Sequence, residues 1–317
     1  ALMLLLNIQN INVFSALRCK LISTIIRMAT TARVINMKII NNQTFTGERA
    51  LFQSRGVRLV DCTMTDGESH IKESSDVICE GCTFGWKYPL WYGKNLTVTN
   101  STLLPQARAA IWYSDNLTFT DVQIDAPKAF RRCNGVTITN VEFSDADETM
   151  WAINDVTIIN VHVVGNYFGM NCGNITADNL RIDGNYCFDG AHDIVVRNSV
   201  LNSKDSFWNC RNVTVYDTVI NGEYLAWNSS NLTFVNCTIN SLQGLCYVDG
   251  LTLVNCKLAD TNLCFEYCTN IDADVVSDIV SVKNPISGRI VANSVKELIQ
   301  DDPAIDLTKI SVETRTK

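Results

Sequence analysis

One phrase recurs along this chain: Asn, an aliphatic residue, Thr, a second aliphatic residue, any residue, then Asn or Asp. It reads Asn95-Leu-Thr-Val-Thr-Asn100, Asn116-Leu-Thr-Phe-Thr-Asp121, Gly135-Val-Thr-Ile-Thr-Asn140 and Asn231-Leu-Thr-Phe-Val-Asn236. The first aliphatic residue of each copy sets a register at Val57, Val77, Leu96, Leu117, Val136, Val156, Ile175, Ile194, Val213, Leu232, Leu251, Ile271 and Ile290, with steps of 19 to 21 residues. Repetition at so short and steady a period implies a stack of small units, each of which buries its apolar face only against its neighbours.

The phrase also specifies the unit. Alternating aliphatic and Thr residues make a short strand with one buried face. The next aliphatic positions lie five and seven residues after the anchor, so the parity flips and a bend must separate two strands. Asn100, Asp121, Asn140, Asn160 and Asn179 stand at that bend, and Asn95, Asn116, Asp155 and Asn174, with Gly135 and Gly250, stand just before the anchor. Asn, Asp and Gly accept the left-handed backbone of a sharp bend, and stacked Asn side chains can bond to one another. Two strands, a third less regular stretch and two bends describe a coil of an all-β, single-stranded, right-handed parallel β-helix of about 13 coils. A leucine-rich repeat requires a Leu-x-x-Leu lead that is missing here, and the six-residue sub-period of left-handed hexapeptide helices is absent.

The expected organisation is an extension over 1–36 outside the fold, an N-terminal cap over 37–56, the β-helix over 57–289, and a last coil with C-terminal cap over 290–317. A short helix is expected at Val295–Gln300. Residues 1–36 carry Arg18, Lys20, Arg27 and Arg33 and no acidic residue. They read as an upstream extension, with Met28 or Met37 as the start, or as a secretory or organelle-targeting segment. Leu2–Leu6 is too short to span a membrane.

A net charge of −7 argues against a nucleic-acid partner. The 13 cysteines are odd in number and form no Cys/His cluster at zinc spacing. Cys62, Cys82, Cys237 and Cys256 fall five residues after an anchor and Cys133, Cys172 and Cys210 share another column, so they read as small core residues. A reducing, cytoplasmic setting is expected, with secretion the alternative if 1–36 is a signal segment. No metal and no cofactor is implied.

Chemistry is sought in the third stretch, where coils differ. Ten residues after the anchor stand Asn166, Asn185, Lys204 and Glu223; at eleven, Tyr167, Tyr186, Asp205 and Tyr224; at fourteen, Met170, Asp189, Trp208 and Trp227. Coils stack about 4.8 Å apart, so Asp189, Asp205 and Glu223 come from three neighbouring coils. Carboxylates beside aromatics suit a saccharide: rings stack on sugar faces, and two carboxyls can act as acid and as base or nucleophile. The candidate catalytic residues are therefore Asp189, Asp205 and Glu223. The candidate saccharide-binding residues are Arg131, Trp151, Tyr186, Lys204, Trp208, Tyr224 and Trp227. Plainer readings stand beside these. Lys204 and Glu223 share a column and suit an ion pair, and Tyr and Trp columns also stack for packing alone. Burial of Asp205 against Tyr186 and Tyr224 would remove the catalytic version. His162 is expected to be exposed, and His192 to belong to an Asp/His bend.

Gly67-Glu-Ser-His-Ile-Lys-Glu-Ser74, Tyr88-Pro-Leu-Trp91, Asn198-Ser-Val-Leu-Asn-Ser-Lys-Asp-Ser-Phe-Trp208, Gly222-Glu-Tyr224, Phe265-Glu-Tyr267 and Lys283-Asn-Pro285 resemble a bacterial β-helix family known as domain of unknown function 3737, of the pectate-lyase-like superfamily. The resemblance runs from Met37 to about residue 290 and implies the right-handed β-helix without supplying an activity. Pectate lyases of that superfamily use acidic calcium ligands with an Arg base, and polygalacturonases an aspartate set with an Asp-Asp pair. The only Asp-Asp here is Asp301-Asp302, near the C-terminal end, so neither mechanism is carried over. Two readings remain: a carbohydrate-active hydrolase or lyase, and a non-catalytic β-helix that binds a saccharide or a protein.

Overall fold

The computed structural model describes residues 37–315. The chain winds as a right-handed parallel β-solenoid of about 15 turns. The first strand of each coil pairs in parallel with the next: Leu117 faces Val136, which faces Val156, which faces Ile175. The second strands pair likewise, as Val141 with Val161 and then Leu180. The sequence register thus holds from Val57 to Ile271.

It extends one coil further at the N-terminal end and shifts at the C-terminal end. Lys38–Asn41 pairs in register with Val57–Val60, so the stretch expected as an N-terminal cap supplies a coil of its own. At the other end Gly288, not Ile290, lies opposite Ile271, and Ile290 faces Ala273. That coil is shorter by two residues than the aliphatic pattern implied. Gly288 has φ 118°, and a Cβ there would stand 2.1 Å from the Ile271 carbonyl oxygen, so the close approach requires glycine. Ser294–Ile299 is a strand paired with Asp278–Lys283, not the expected helix. Ile310–Thr314 adds one further rung on Gly288–Ala292.

Inward side chains fill the tube. Phe119, Phe130, Phe143, Phe168, Phe188 and Phe207 are fully buried and meet ring to ring, within a coil as Phe119–Phe130 at 5.0 Å and from coil to coil as Phe188–Phe207 at 5.4 Å. Each such ring contributes about 2–3 kcal/mol by leaving water. The twelve cysteines among the described residues are free and buried. At the bends, Asn116 donates to Asn95 (2.7 Å), Asn160 to Asn140 (3.1 Å) and Asn179 to Asn160 (3.0 Å). Each amide meets its copy one coil away.

The third stretch is regular too, by another rule. Tyr186, Phe188 and Gly190 are left-handed (φ 61°, 64° and 68°), and so are Asp205, Phe207 and Asn209 (φ 55°, 57° and 54°). Every second residue takes this conformation. Its backbone bonds alternate in direction: Asp205 N–H donates to Glu223 O (2.8 Å) in one neighbouring coil, and Phe207 N–H to Cys187 O (3.0 Å) in the other. The handedness costs about 1–2 kcal/mol per non-glycine residue. Coil-to-coil bonds and the buried rings offset it.

Candidate functional site

The left-handed backbone at Asp205 decides what the third face presents. In an ordinary strand Lys204 and Asp205 would point to opposite sides. Here Asp205 occupies a bend, so three columns lie along one outer face: Lys204 with Glu223; Tyr186, Asp205 and Tyr224; and Asp189, Trp208 and Trp227. Sequence periodicity gave no sign of this, because Tyr167, Tyr186 and Tyr224 occupy the bend in the neighbouring coils, where Gly, Asn or Asp would have signalled it.

Most aromatic groups on this face are engaged by one another. Trp91 and Trp112 stack at 5.1 Å and 8°, and Tyr92 and Tyr113 at 5.1 Å and 9°. The Trp112 indole N–H donates to Lys128 O (2.8 Å). Arg131 lies between Trp112 (5.1 Å) and Trp151 (4.5 Å) and pairs with Glu148, which also holds Lys128 at 3.1 Å. Arg131 is four coils from Trp208 in the same column, about 19 Å at the usual strand spacing. By the same spacing Arg131 stands three coils and Trp151 two coils from Asp189, so Arg131 is set apart from the carboxylates. The Trp91/Trp112 and Tyr92/Tyr113 stacks were missed as a site feature, although their 21-residue separation is a coil length.

The columns break around Asp205. Tyr167 stacks on Tyr186 at 4.7 Å and 6°. The next coil has Asp205 in place of a tyrosine, and the one after returns to Tyr224, whose ring meets Trp227 edge-on at 5.2 Å. Trp227 continues to Tyr247 at 5.2 Å and donates its N–H to Gln243 O (2.6 Å). Trp208 is half-buried, and among the described residues its ring has no aromatic or cationic partner and its N–H no acceptor.

Asp205 is 4% exposed. Among the described residues no donor reaches its carboxylate. Burial pushes its pKa up; Lys204 opposes this, and the carboxylates of Glu223 and Asp189 push it further up. Glu223 pairs with Lys204 at 3.5 Å, and Asp189 accepts from the Asn209 amide at 3.1 Å. The Lys204 ammonium stands 5.0 Å over the Tyr224 ring. Desolvation lowers the Lys204 pKa, but Asp205 and Glu223 outweigh it and hold the group above its ordinary value. The three carboxylates thus share one field. Asp205 thus sits low in the Tyr186–Tyr224 column, the placement that counts against a catalytic role.

The histidines lie elsewhere. His162, expected to be exposed, is half-buried with its ring nitrogens at 2.7 Å from Glu142 and 3.0 Å from Asp183. Its groove, lined by Asn140, Asn160, Asn179 and Arg181, encloses about 320 Å³ on the second-strand face. His192 bonds Asp193 at 2.7 Å, within the bend. Cys79 and Cys82 form a CxxC pair, against the expectation from the sequence that no such pair is present. Both are buried in the core. Among the described residues no group of three or more His, Cys, Asp or Glu is arranged to hold a metal, and no helix is long and apolar enough to cross a membrane.

A family model described as "Protein of unknown function (DUF3737)" matches residues 38–313. The chain belongs to the DUF3737 family. No curated protein matches it. Among solved structures this DUF3737 protein is similar to PfbA, a surface adhesin of Streptococcus pneumoniae, at 12% identity over 75% of this chain and 84% of that one (TM-score 0.49). It is also similar to the tailspike protein of E. coli bacteriophage HK620 in complex with pentasaccharide, at 11% identity over 87% and 72% (TM-score 0.41). An exopolygalacturonase from Thermotoga maritima follows at 8% identity over 87% and 83% (TM-score 0.32).

Proposed function

We propose that the third face of this DUF3737 protein binds a saccharide chain without cleaving it. The observation that carries the reading is the break at Asp205. Elsewhere on the face, most rings are engaged by one another, stacked or edge-on. At the break, the Trp208 indole has no partner, Tyr186 and Tyr224 stand two coils apart, and carboxylate oxygens supply acceptors for sugar hydroxyls. Apolar ring surface with a few convergent polar groups is the usual make-up of a small-molecule site. A cytoplasmic setting goes with this reading, supported by the free, buried thiols.

The test is a glycan-array and oligosaccharide-cleavage screen of the full chain beside Trp208→Ala. Binding without cleavage is expected, weakened about tenfold in the variant. Cleavage products would overturn the non-catalytic reading. Silence in both assays would leave a protein-binding scaffold.

A further inference from the structure

Resting on that saccharide reading, we infer that the break around Asp205 recognises a positively charged amino group on the sugar, so that the ligand is an amino sugar carrying a free ammonium. Three observations carry this. First, Asp205 as a residue is 4% exposed and no donor among the described residues reaches its carboxylate. Its oxygens are not wholly shut off from solvent, since His70 Nδ1 is the one fully buried side-chain polar atom without a partner among the described residues. The carboxylate is thus poorly hydrated yet reachable, and an ammonium supplies both the donors and the compensating charge. Second, three carboxylates, Asp189, Asp205 and Glu223, share the field with one ammonium, Lys204. A neutral hydroxyl can donate to these oxygens but leaves the surplus charge in place. Third, the site already holds a cation in the required manner. Lys204 Nζ lies over the Tyr224 ring at 5.0 Å and against Glu223 at 3.5 Å. An aromatic face joined to a carboxylate is the combination that favours ammonium groups. The partnerless Trp208 ring adds a second face beside it.

The ligand ammonium takes the place of Lys204 Nζ or sits beside it toward Asp205. Lys204 is thus an intramolecular competitor, held by charges that a ligand would use. This gives the two side chains opposite roles. Loss of the Asp205 charge weakens amine binding, whereas loss of the Lys204 charge strengthens it. A merely structural role would make both substitutions act in the same direction.

The experiment is titration calorimetry of the full chain at neutral pH with glucosamine oligomers and with the same oligomers N-acetylated, which removes only the charge. The amine form is expected to bind about tenfold tighter. Asp205→Asn should abolish that preference, and Lys204→Met should raise amine affinity by about threefold. Melting curves of both variants establish that they fold. Equal binding of the two forms overturns the amine inference and leaves the saccharide reading standing. Equal binding of a plain alkyl diamine keeps the cation site and overturns the sugar. Binding of neither oligomer overturns both.

Discussion

Two outward columns of this solenoid run in parallel and end differently. Along Asn140, Asn160 and Asn179, the last two amides each donate to the copy in the coil before and Asn140 donates to Asp121, and each has a left-handed φ of 53°. Along Tyr167, Tyr186, Asp205 and Tyr224 the backbone is equally left-handed, at 60°, 61°, 55° and 58°, but the side chain changes from phenol to carboxylate for one coil. Repetition satisfies a side chain with its own copy. A break leaves the neighbours unmatched, and the unmatched groups are those able to meet a ligand.

Four substitutions test that contrast. The largest effect is expected inside the tube. Phe207→Ala removes a fully buried ring that stacks on Phe188 at 5.4 Å, and should cost about 3–5 kcal/mol in urea unfolding. If the loss equals that of a surface change, coil-to-coil ring packing does not hold the third stretch. Next, Asn160→Ala removes one amide that both donates and accepts and leaves alanine at φ 53°, for about 1–3 kcal/mol. A neutral result would show that the amide row does not stabilise the bend.

Asp205→Asn should stabilise the fold at neutral pH, by about 2 °C in Tm, because asparagine keeps the left-handed bend without the charge. Asp205 ionises at a higher pH in the fold than in the unfolded chain. Its destabilising effect is therefore absent below the ordinary carboxylate range and grows as pH rises through the folded value. The gain should vanish on acidification toward the ordinary carboxylate range. A gain independent of pH would assign it to something other than the Asp205 charge. Smallest of all, Glu223→Gln opens an exposed pair at 3.5 Å and should change stability by less than about 1 kcal/mol. A larger loss would mean that the pairing of Lys204 and Glu223 supports the coil as strongly as the amide row does.

The two strands of each coil were legible because their period-two aliphatic pattern and their Asn, Asp and Gly bends mark them directly. The shortened coil at Gly288 was not, since Ile290 kept an apparent 19-residue step while the backbone pairing moved by two residues. The third stretch was legible as columns but not as a surface. Its left-handed positions are held in large part by Tyr186, Phe188, Phe207 and Tyr224, residues that carry no bend signal of their own. The grouping of Asp189, Asp205 and Glu223 followed from coil spacing alone. The burial of Asp205 depends on side chains of adjoining coils, which no single-coil pattern encodes.

The free thiols carry a consequence for observing the molecule in motion. Burial pushes Cys133 and Cys172 up to about 12, where alkylating reagents find almost no thiolate. Cysteines occur from Cys62 to Cys268, distributed along the solenoid axis. In a quasi-one-dimensional stack each coil opens with its neighbours, so its thiol becomes reactive when that stretch of the tube comes apart. The chain therefore carries its own graduated scale, on which mass-resolved labelling would read whether unwinding starts at an end or in the middle.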